Sequence, residues 1–309
     1  MSPINLLILI FKNNNMRYIR SSIILLTGVS CLLLFHSCST CSRQQTVENI
    51  TIDLDMADIG DISVYLNMSN QVLFALPTPI EASMLVKNWG IPDPALLNDP
   101  ANASGYLTKK KQALNFGVYL TDMTTAGLYE QTQTVLRYKQ AMQQLGEALG
   151  LQSAVDQKTL QQIEENINDK EKLLQIISDL YASCTSYLSE NDRDFYALAV
   201  LSGGWVEGMF LATNMIDENN NDAASQMEKV IMENKLTFDL LWQALGEMDD
   251  IPDEAVSLMI DMSYVAHLFG HQTLLSVPRN TESIYNITPK YFADVKEHIR
   301  ILRRQFTQK

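Results

Sequence analysis

Residues 202–208 read Ser-Gly-Gly-Trp-Val-Glu-Gly and place three glycines inside a segment of helical periodicity. A glycine in a helix interior costs about 1 kcal/mol relative to alanine, so some structural gain must offset it. The commonest gain is the close approach of a second helix, and the alternatives are a kink or a backbone that lines a cavity. We therefore expect residues 194–216 to form a helix that another helix approaches closely.

The segments on either side of this helix have the same helical period. In residues 107–128 the apolar side chains recur on one face, with Ala113 and Gly117 as small members, at Leu107, Leu114, Val118, Tyr119 and Leu128. Such spacing buries one face of a helix. The same pattern predicts helices over residues 129–149, 159–167, 170–188, 226–245, 253–275 and 289–306.

Residues typical of helix ends mark several of these boundaries. Gly150 follows a periodic run as a left-handed cap would, and Asp169 and Asn191 precede runs as amino-terminal caps. Pro252 and Pro289 stand where a first-turn proline is tolerated. These markers favour helices joined by short connections.

The pattern as a whole predicts an all-α multi-helix bundle. Apart from a weak alternation at residues 51–54, no stretch has the period of a strand. Residues 145–149 (Leu-Gly-Glu-Ala-Leu) resemble residues 245–248 (Leu-Gly-Glu-Met), and each stretch closes a long amphipathic run. Two related helical halves are one interpretation, although helix capping alone also produces similar ends. We expect one all-helical domain over residues 51–309.

The amino-terminal residues have the three-part layout of an export signal. Arg17 and Arg20 precede an apolar run over residues 23–35, which is too short to cross a hydrocarbon core about 30 Å thick. Ser37 places a small residue directly before Cys38, as in signals whose cysteine accepts a lipid. We expect a signal peptide over residues 1–37, a lipid on Cys38 and a flexible tether over residues 38–50.

Alternatives at the amino terminus stay open. Cys31 also follows a small residue, but processing there would leave the apolar residues 32–35 on the mature surface. Residues 1–15 fit neither a signal nor a domain, so Met16 is an alternative start. An uncleaved membrane anchor is the other interpretation of this region.

The charge of the chain restricts its partners. Residues 1–37 contain three basic and no acidic residues, so their removal leaves 20 basic and 36 acidic residues and a formal charge of −16. Such a surface is a poor match for nucleic acid, and it is repelled by anionic headgroups. We therefore place the domain in the cell envelope, periplasmic or surface-exposed, and attached to the membrane through its lipid alone.

The glycine-rich helix also suggests a pocket. Trp205 and Glu207 lie beside the glycines, and a second glycine-bearing helix carries Tyr119, Asp122 and Tyr129. Ligand clefts are mostly apolar with a few polar groups. These five residues are the candidate ligand-binding set.

Two other patterns have metal-like spacing. His267 and His271 would lie one helical turn apart on one face, although Leu268 stands where a zinc protease has its glutamate. Ordinary hydrogen bonding of both histidines to backbone or water is the interpretation that the pattern favours.

Residues 217–228 have the oxygen spacing of a calcium loop. Its candidate ligands are Asp217, Asn219, Asn221, Ser225 and Glu228. Asp222 occupies the position at which glycine makes the sharp turn, which favours a plain polar connection instead. No catalytic triad, phosphate loop, dinucleotide fingerprint or paired-cysteine metal site is present, so the sequence identifies no catalytic residue and no cofactor.

Several motifs together resemble a family of uncharacterised lipoproteins from Bacteroidetes. The similar stretches span most of residues 70–250, and they comprise residues 76–81, 97–99, Tyr106, 113–122 and 203–208. The resemblance implies anchored export and a helical domain, and it implies no activity.

The sequence thus favours a lipid-anchored envelope domain that binds a small ligand or an envelope protein without catalysis. The contrasting hypotheses are a metal-dependent envelope enzyme that uses His267 and His271, and a purely structural scaffold.

Overall fold

The computed structural model describes residues 93–216, 222–248, 251–271 and 289–309. In these ranges 82% of the residues are helical and none is in a strand. The predicted all-α multi-helix bundle is therefore confirmed. The predicted signal peptide, Cys38, the tether and the alternation at residues 51–54 lie outside the described residues.

The described residues form eight α-helices, preceded by two short 3-10 helices at Pro94–Leu96 and Pro100–Gly105. The α-helices are α1 (Lys109–Leu128), α2 (Thr132–Leu149), α3 (Gln157–Glu165), α4 (Lys170–Glu190), α5 (Asp194–Met215), α6 (Ala223–Gly246), α7 (Asp253–Leu268) and α8 (Pro289–Thr307). The possible relation between two helical halves stays a prediction.

The segment before α1, which we call the capping segment (residues 93–106), contains two Asp-Pro pairs. Asp93 accepts a hydrogen bond from the backbone N–H of Ala95, and Asp99 accepts one from that of Ala101. In each pair the proline takes the first helical position, where its missing N–H costs nothing. Local side-chain bonds therefore fix both 3-10 turns.

Helices α1 and α5 touch through their backbones. A Cβ atom on Gly117 would lie 1.9 Å from the carbonyl oxygen of Val200, and one on Gly203 would lie 1.9 Å from that of Leu114. No side chain larger than hydrogen fits at either position. The hydroxyl of Thr121 lies between the two helices, 3.2 Å from the carbonyl oxygen of Gly117 and 3.3 Å from that of Gly204. The close helix approach predicted from the glycines is confirmed.

Helix α5 lies at the centre of the bundle, where α1, α4, α6 and α8 pack against it. Among the described residues it is the one helix long and apolar enough to cross a membrane, yet 89% of its apolar stretch is buried inside the protein. A helix that is apolar on all sides is typical of a core position.

Several predicted helix ends are confirmed. Gly150 adopts the left-handed conformation (φ 71°) after α2, and the side chain of Asp169 accepts a hydrogen bond from the N–H of Lys172 at the start of α4. Pro289 is the first residue of α8, whereas Pro252 occupies the cap position just before α7.

Two predicted ends are wrong. Asn191 does not cap α5; it follows the last residue of α4, and α5 begins after Arg193 without a side-chain cap. Helix α7 ends at Leu268 rather than at residue 275, because Gly270 turns the chain with φ 90° although the apolar pattern continues beyond it. Residues 272–275 lie outside the described residues.

Gly203→Ala is expected to lower the free energy of unfolding by about 3 kcal/mol or more, because the new methyl group would force two backbones apart. The measurement is urea denaturation followed by circular dichroism. Gly246→Ala is the matched control, since its Cβ would meet only the Met259 side chain at 3.7 Å, an ordinary contact. Equal losses in the two variants would contradict the proposed backbone contact.

Candidate functional site

Two acidic residues lie in the apolar core. Asp122 is the one charged residue between Ala113 and Leu128, and Glu207 is the one charged residue between Phe195 and Met215. Both side chains are fully buried. An unpaired buried carboxylate is costly, so each acid requires a cation, a proton or several hydrogen-bond donors.

Arg303 on α8 provides the cation for Glu207. Its Nε donates to Oε2 of Glu207 at 2.9 Å and its Nη2 donates to Oε1 at 3.0 Å, so both carboxylate oxygens are engaged. The same Nη2 donates to the carbonyl oxygen of Leu96 at 2.8 Å, and the guanidinium lies 4.4 Å from the centre of the Phe210 ring. This forked geometry gives a stronger pair than a single charged contact does. One side chain thus joins α8 to α5 and to the capping segment.

Within the part of the chain that the structure describes, no cation pairs with Asp122 directly. Its Oδ2 accepts a hydrogen bond from the backbone N–H of Asn98 at 3.0 Å. It also lies 3.2 Å from the hydroxyl of Tyr138, whose one hydrogen is shared with the carbonyl oxygen of Asn98. Its Oδ1 is buried and receives no hydrogen bond from the described residues. Burial first, and then the negative charge of Glu207, raise the pKa of Asp122 well above its usual range. A side-chain interaction with Glu207 is a further cause of the raised pKa of Asp122.

Three tyrosines surround the acids. Tyr119 and Tyr138 bind the capping segment, and Tyr106 belongs to it. Tyr119 donates to the carbonyl oxygen of Asp99 at 2.9 Å. The hydroxyl of Tyr138 lies 2.8 Å from the carbonyl oxygen of Asn98. Tyr106 accepts a hydrogen bond from the side-chain amide of Asn98 at 3.0 Å. Burial raises the pKa of all three tyrosines. They stay neutral and act as hydrogen-bonding groups.

The carboxyl end of α8 is fixed next to this cluster. Its last carbonyl groups have no partners within the helix. Asn115 donates to the carbonyl oxygen of Phe306 at 2.9 Å, and Tyr106 donates to that of Thr307 at 3.2 Å. The ammonium of Lys111 donates to the carbonyl oxygen of Gln308 at 2.9 Å, and a cation at this end also complements the helix dipole.

The structure brings together three of the five residues predicted to line a pocket, namely Tyr119, Asp122 and Glu207. Trp205 instead packs against Phe238, with ring centres 4.9 Å apart, and its Nε1 donates to the carbonyl oxygen of Asn234. Tyr129 lies at the carboxyl-terminal cap of α1, seven residues after Asp122. Ligand binding by this set stays a prediction.

The histidine pair differs from the expected geometry. Because α7 ends at Leu268, His267 and His271 do not lie on one helix. Nε2 of His271 lies 2.7 Å from Oδ1 of Asp239, whose other oxygen binds Lys235 at 2.6 Å. Within the described ranges, no three His, Cys, Asp or Glu side chains lie close enough together to hold a metal ion.

The proposed calcium loop is only partly described. Asp217, Asn219 and Asn221 lie outside the described residues. Ser225 and Glu228 are exposed on the first turns of α6. The loop stays a prediction.

Sequence reasoning missed the cation and the capping residues. The signal for a cation was present, because a lone acid in an apolar helix requires a partner. The sequence did not identify that partner, because α8 carries Arg300, Arg303 and Arg304 within five residues. Asn98 and Tyr138 were likewise not predicted to contact Asp122.

No protein-family model, no curated protein and no solved structure matches this chain. We therefore infer function from the sequence and from the geometry described above.

Arg303→Met is expected to lower the free energy of unfolding by about 3–5 kcal/mol, because it leaves the Glu207 carboxylate buried without a cation. Adding Glu207→Gln should recover part of this loss, since the remaining side chain is neutral. Urea denaturation of the single and double variants measures both effects.

The control for this series is Arg300→Met on the same helix. Arg300 pairs with Glu297 in solvent, with both side chains 49% exposed, so its loss should leave the urea midpoint unchanged. If the two arginine variants shifted the midpoint equally, the buried pair would not have the role assigned to it.

Proposed function

We propose that this protein is a lipid-anchored helical domain of the cell envelope that binds a partner protein or ligand and catalyses no reaction. The signal-like residues 17–41 and the resemblance to envelope lipoproteins support the anchor. The acidic composition supports a domain that stands away from anionic headgroups.

The arrangement of the buried cluster favours a structural use of its polar groups. Both oxygens of Glu207 bind Arg303, and Oδ2 of Asp122 binds Asn98 and Tyr138. The capping segment and α8 supply these partners. A catalytic site needs a polar group directed at a substrate, whereas these groups are directed at one another.

The observation that carries the binding proposal is the pattern of exposed apolar residues on α6 and α7. Met232 and Leu236 on α6 are 54% and 66% exposed, and Ile260 and Tyr264 on α7 are also exposed. Each pair is spaced four residues apart, so each forms an apolar strip one helical turn long. Helices α6 and α7 pack against each other. Grouped apolar side chains in solvent are typical of binding surfaces.

Cys38→Ser is expected to abolish lipid attachment. Cells that produce the protein are grown with a labelled fatty acid, and the label on the protein is measured together with its share in the membrane fraction. Cys31→Ser is the matched control and should retain both. Lost labelling in Cys31→Ser, or retained labelling in Cys38→Ser, would overturn the assignment of the anchor.

A photo-cross-linking residue at position 236 is expected to give a discrete adduct in cells that produce the protein. The matched control is position 161, an exposed glutamine on α3. The adduct identifies the partner. In a separate variant, Leu236→Glu, this partner should co-purify in smaller amounts, because a charge would then face an apolar surface. Adducts of equal yield at positions 236 and 161, or none at position 236, would contradict binding at this face.

A further inference from the structure

The buried cluster contains one cation and two carboxyl groups. Glu207 on α5 and Asp122 on α1 are both fully buried. Among the described residues, Arg303 on α8 is the cation that pairs with this cluster, through Glu207. Among the described residues, the other titratable groups around Asp122 are phenols: Tyr119 on α1, Tyr138 on α2, Tyr106 in the capping segment and, against Gly204, Tyr181 on α4. Charge balance therefore requires one proton on the acid pair.

Hydrogen-bond geometry places that proton on Asp122. Both oxygens of Glu207 accept N–H donors from Arg303, and Oδ2 of Asp122 accepts from Asn98 and Tyr138. Oδ1 of Asp122 is the remaining oxygen, and it receives no donor from the described residues. A proton there gives a neutral acid that donates to Glu207.

Two of the elements bound to the acid pair, α8 and the capping segment, lie outside the backbone contact between α1 and α5. Arg303 carries α8 and binds the carbonyl oxygen of Leu96, and Asp122 binds the N–H of Asn98. Both Leu96 and Asn98 belong to the capping segment. Helices α1 and α5, in contrast, are in backbone contact and cannot part without breaking the bundle.

We propose that the proton shared by Asp122 and Glu207 is a latch that keeps α8 and the capping segment docked on α1 and α5. Loss of this proton as the pH rises places two negative charges beside one guanidinium. Water must then reach the acids, and the path that leaves the α1–α5 contact intact is displacement of the capping segment and α8. This inference does not depend on the proposed binding function.

The sign of the pH effect follows from the proton that the folded state holds. In the unfolded chain an aspartate loses its proton near its ordinary pKa of about 4. The folded state keeps the proton to higher pH, so the contribution of Asp122 to stability is complete below about pH 4 and falls as the pH rises. Between these two pKa values the unfolding equilibrium constant rises about tenfold per pH unit from this group.

Asp122→Asn removes the proton while keeping the shape. The amide nitrogen replaces the protonated oxygen and donates to Glu207, and the amide oxygen accepts from Asn98. The ratio of the unfolding equilibrium constant of wild type to that of Asp122→Asn should rise about tenfold per pH unit above about pH 5, for as long as the folded state holds the proton, measured by urea denaturation. The control is Asp179→Asn, an exposed aspartate on α4, for which the ratio should stay constant.

Hydrogen exchange, read by mass spectrometry on the full domain, tests which elements are released. Comparing wild type with Asp122→Asn at each pH cancels the intrinsic pH dependence of exchange. Protection should fall with rising pH in residues 94–105 and 289–307, and should stay constant in α4. A pH-independent stability ratio, or a uniform change over all helices, would overturn the latch.

Infrared spectroscopy of the wild-type protein gives a readout that does not require the variant to fold. A protonated carboxylic acid has its own C=O stretching band, which moves when aspartate is labelled with carbon-13. We expect this band at about pH 6, where an ordinary aspartate is ionised, and expect it to disappear together with the protection of residues 289–307 as the pH rises. Its absence at about pH 6 would also overturn the proposal.

Discussion

The backbone contact between α1 and α5 is the constraint on which the rest of the structure depends. Gly117 and Gly203 leave no room for a side chain between the two helices, so the helices have one register. Asp122 lies five residues after Gly117, and Glu207 lies four residues after Gly203. The crossing therefore brings the two acids together inside the bundle. Arg303, Asn98 and Tyr138 then supply the hydrogen-bond donors that two buried acids in proximity require.

These donors come from segments far apart in the chain. The capping segment precedes α1, whereas Arg303 follows Asp122 by 181 residues. Both meet at the acid pair, where Leu96 accepts from the same nitrogen that binds Glu207. Removing one member of a buried ion pair leaves the other charge buried without a partner, which is strongly destabilising. The cluster thus makes the packing of the capping segment and of α8 depend on one another.

Periodicity was sufficient to predict the helices, but the directions of side chains around them needed the structure. Successive helical residues are rotated by about 100°, so Trp205 and Glu207 point to nearly opposite sides of α5 and could not share one pocket. That part of the pocket prediction ignored a rule available from the sequence. The sequence could not indicate that Arg303, rather than Arg300 or Arg304, binds Glu207, because this depends on how α8 is rotated against α5. The end of α7 at Leu268 was missed because the apolar pattern continues beyond Gly270.

If the chain is exported as proposed above, the glutamate inside α5 has a consequence for export as well as for the folded bundle. This helix has the length and composition of a membrane span. In an exported chain such a segment can be retained in the lipid during translocation instead of passing through. A charged residue near its middle makes insertion less favourable by about 3 kcal/mol, and the three glycines beside it weaken an isolated helix further. In a chain exported as proposed above, Glu207 would oppose retention of this helix in the membrane before folding, and in the folded bundle it is the partner of Arg303.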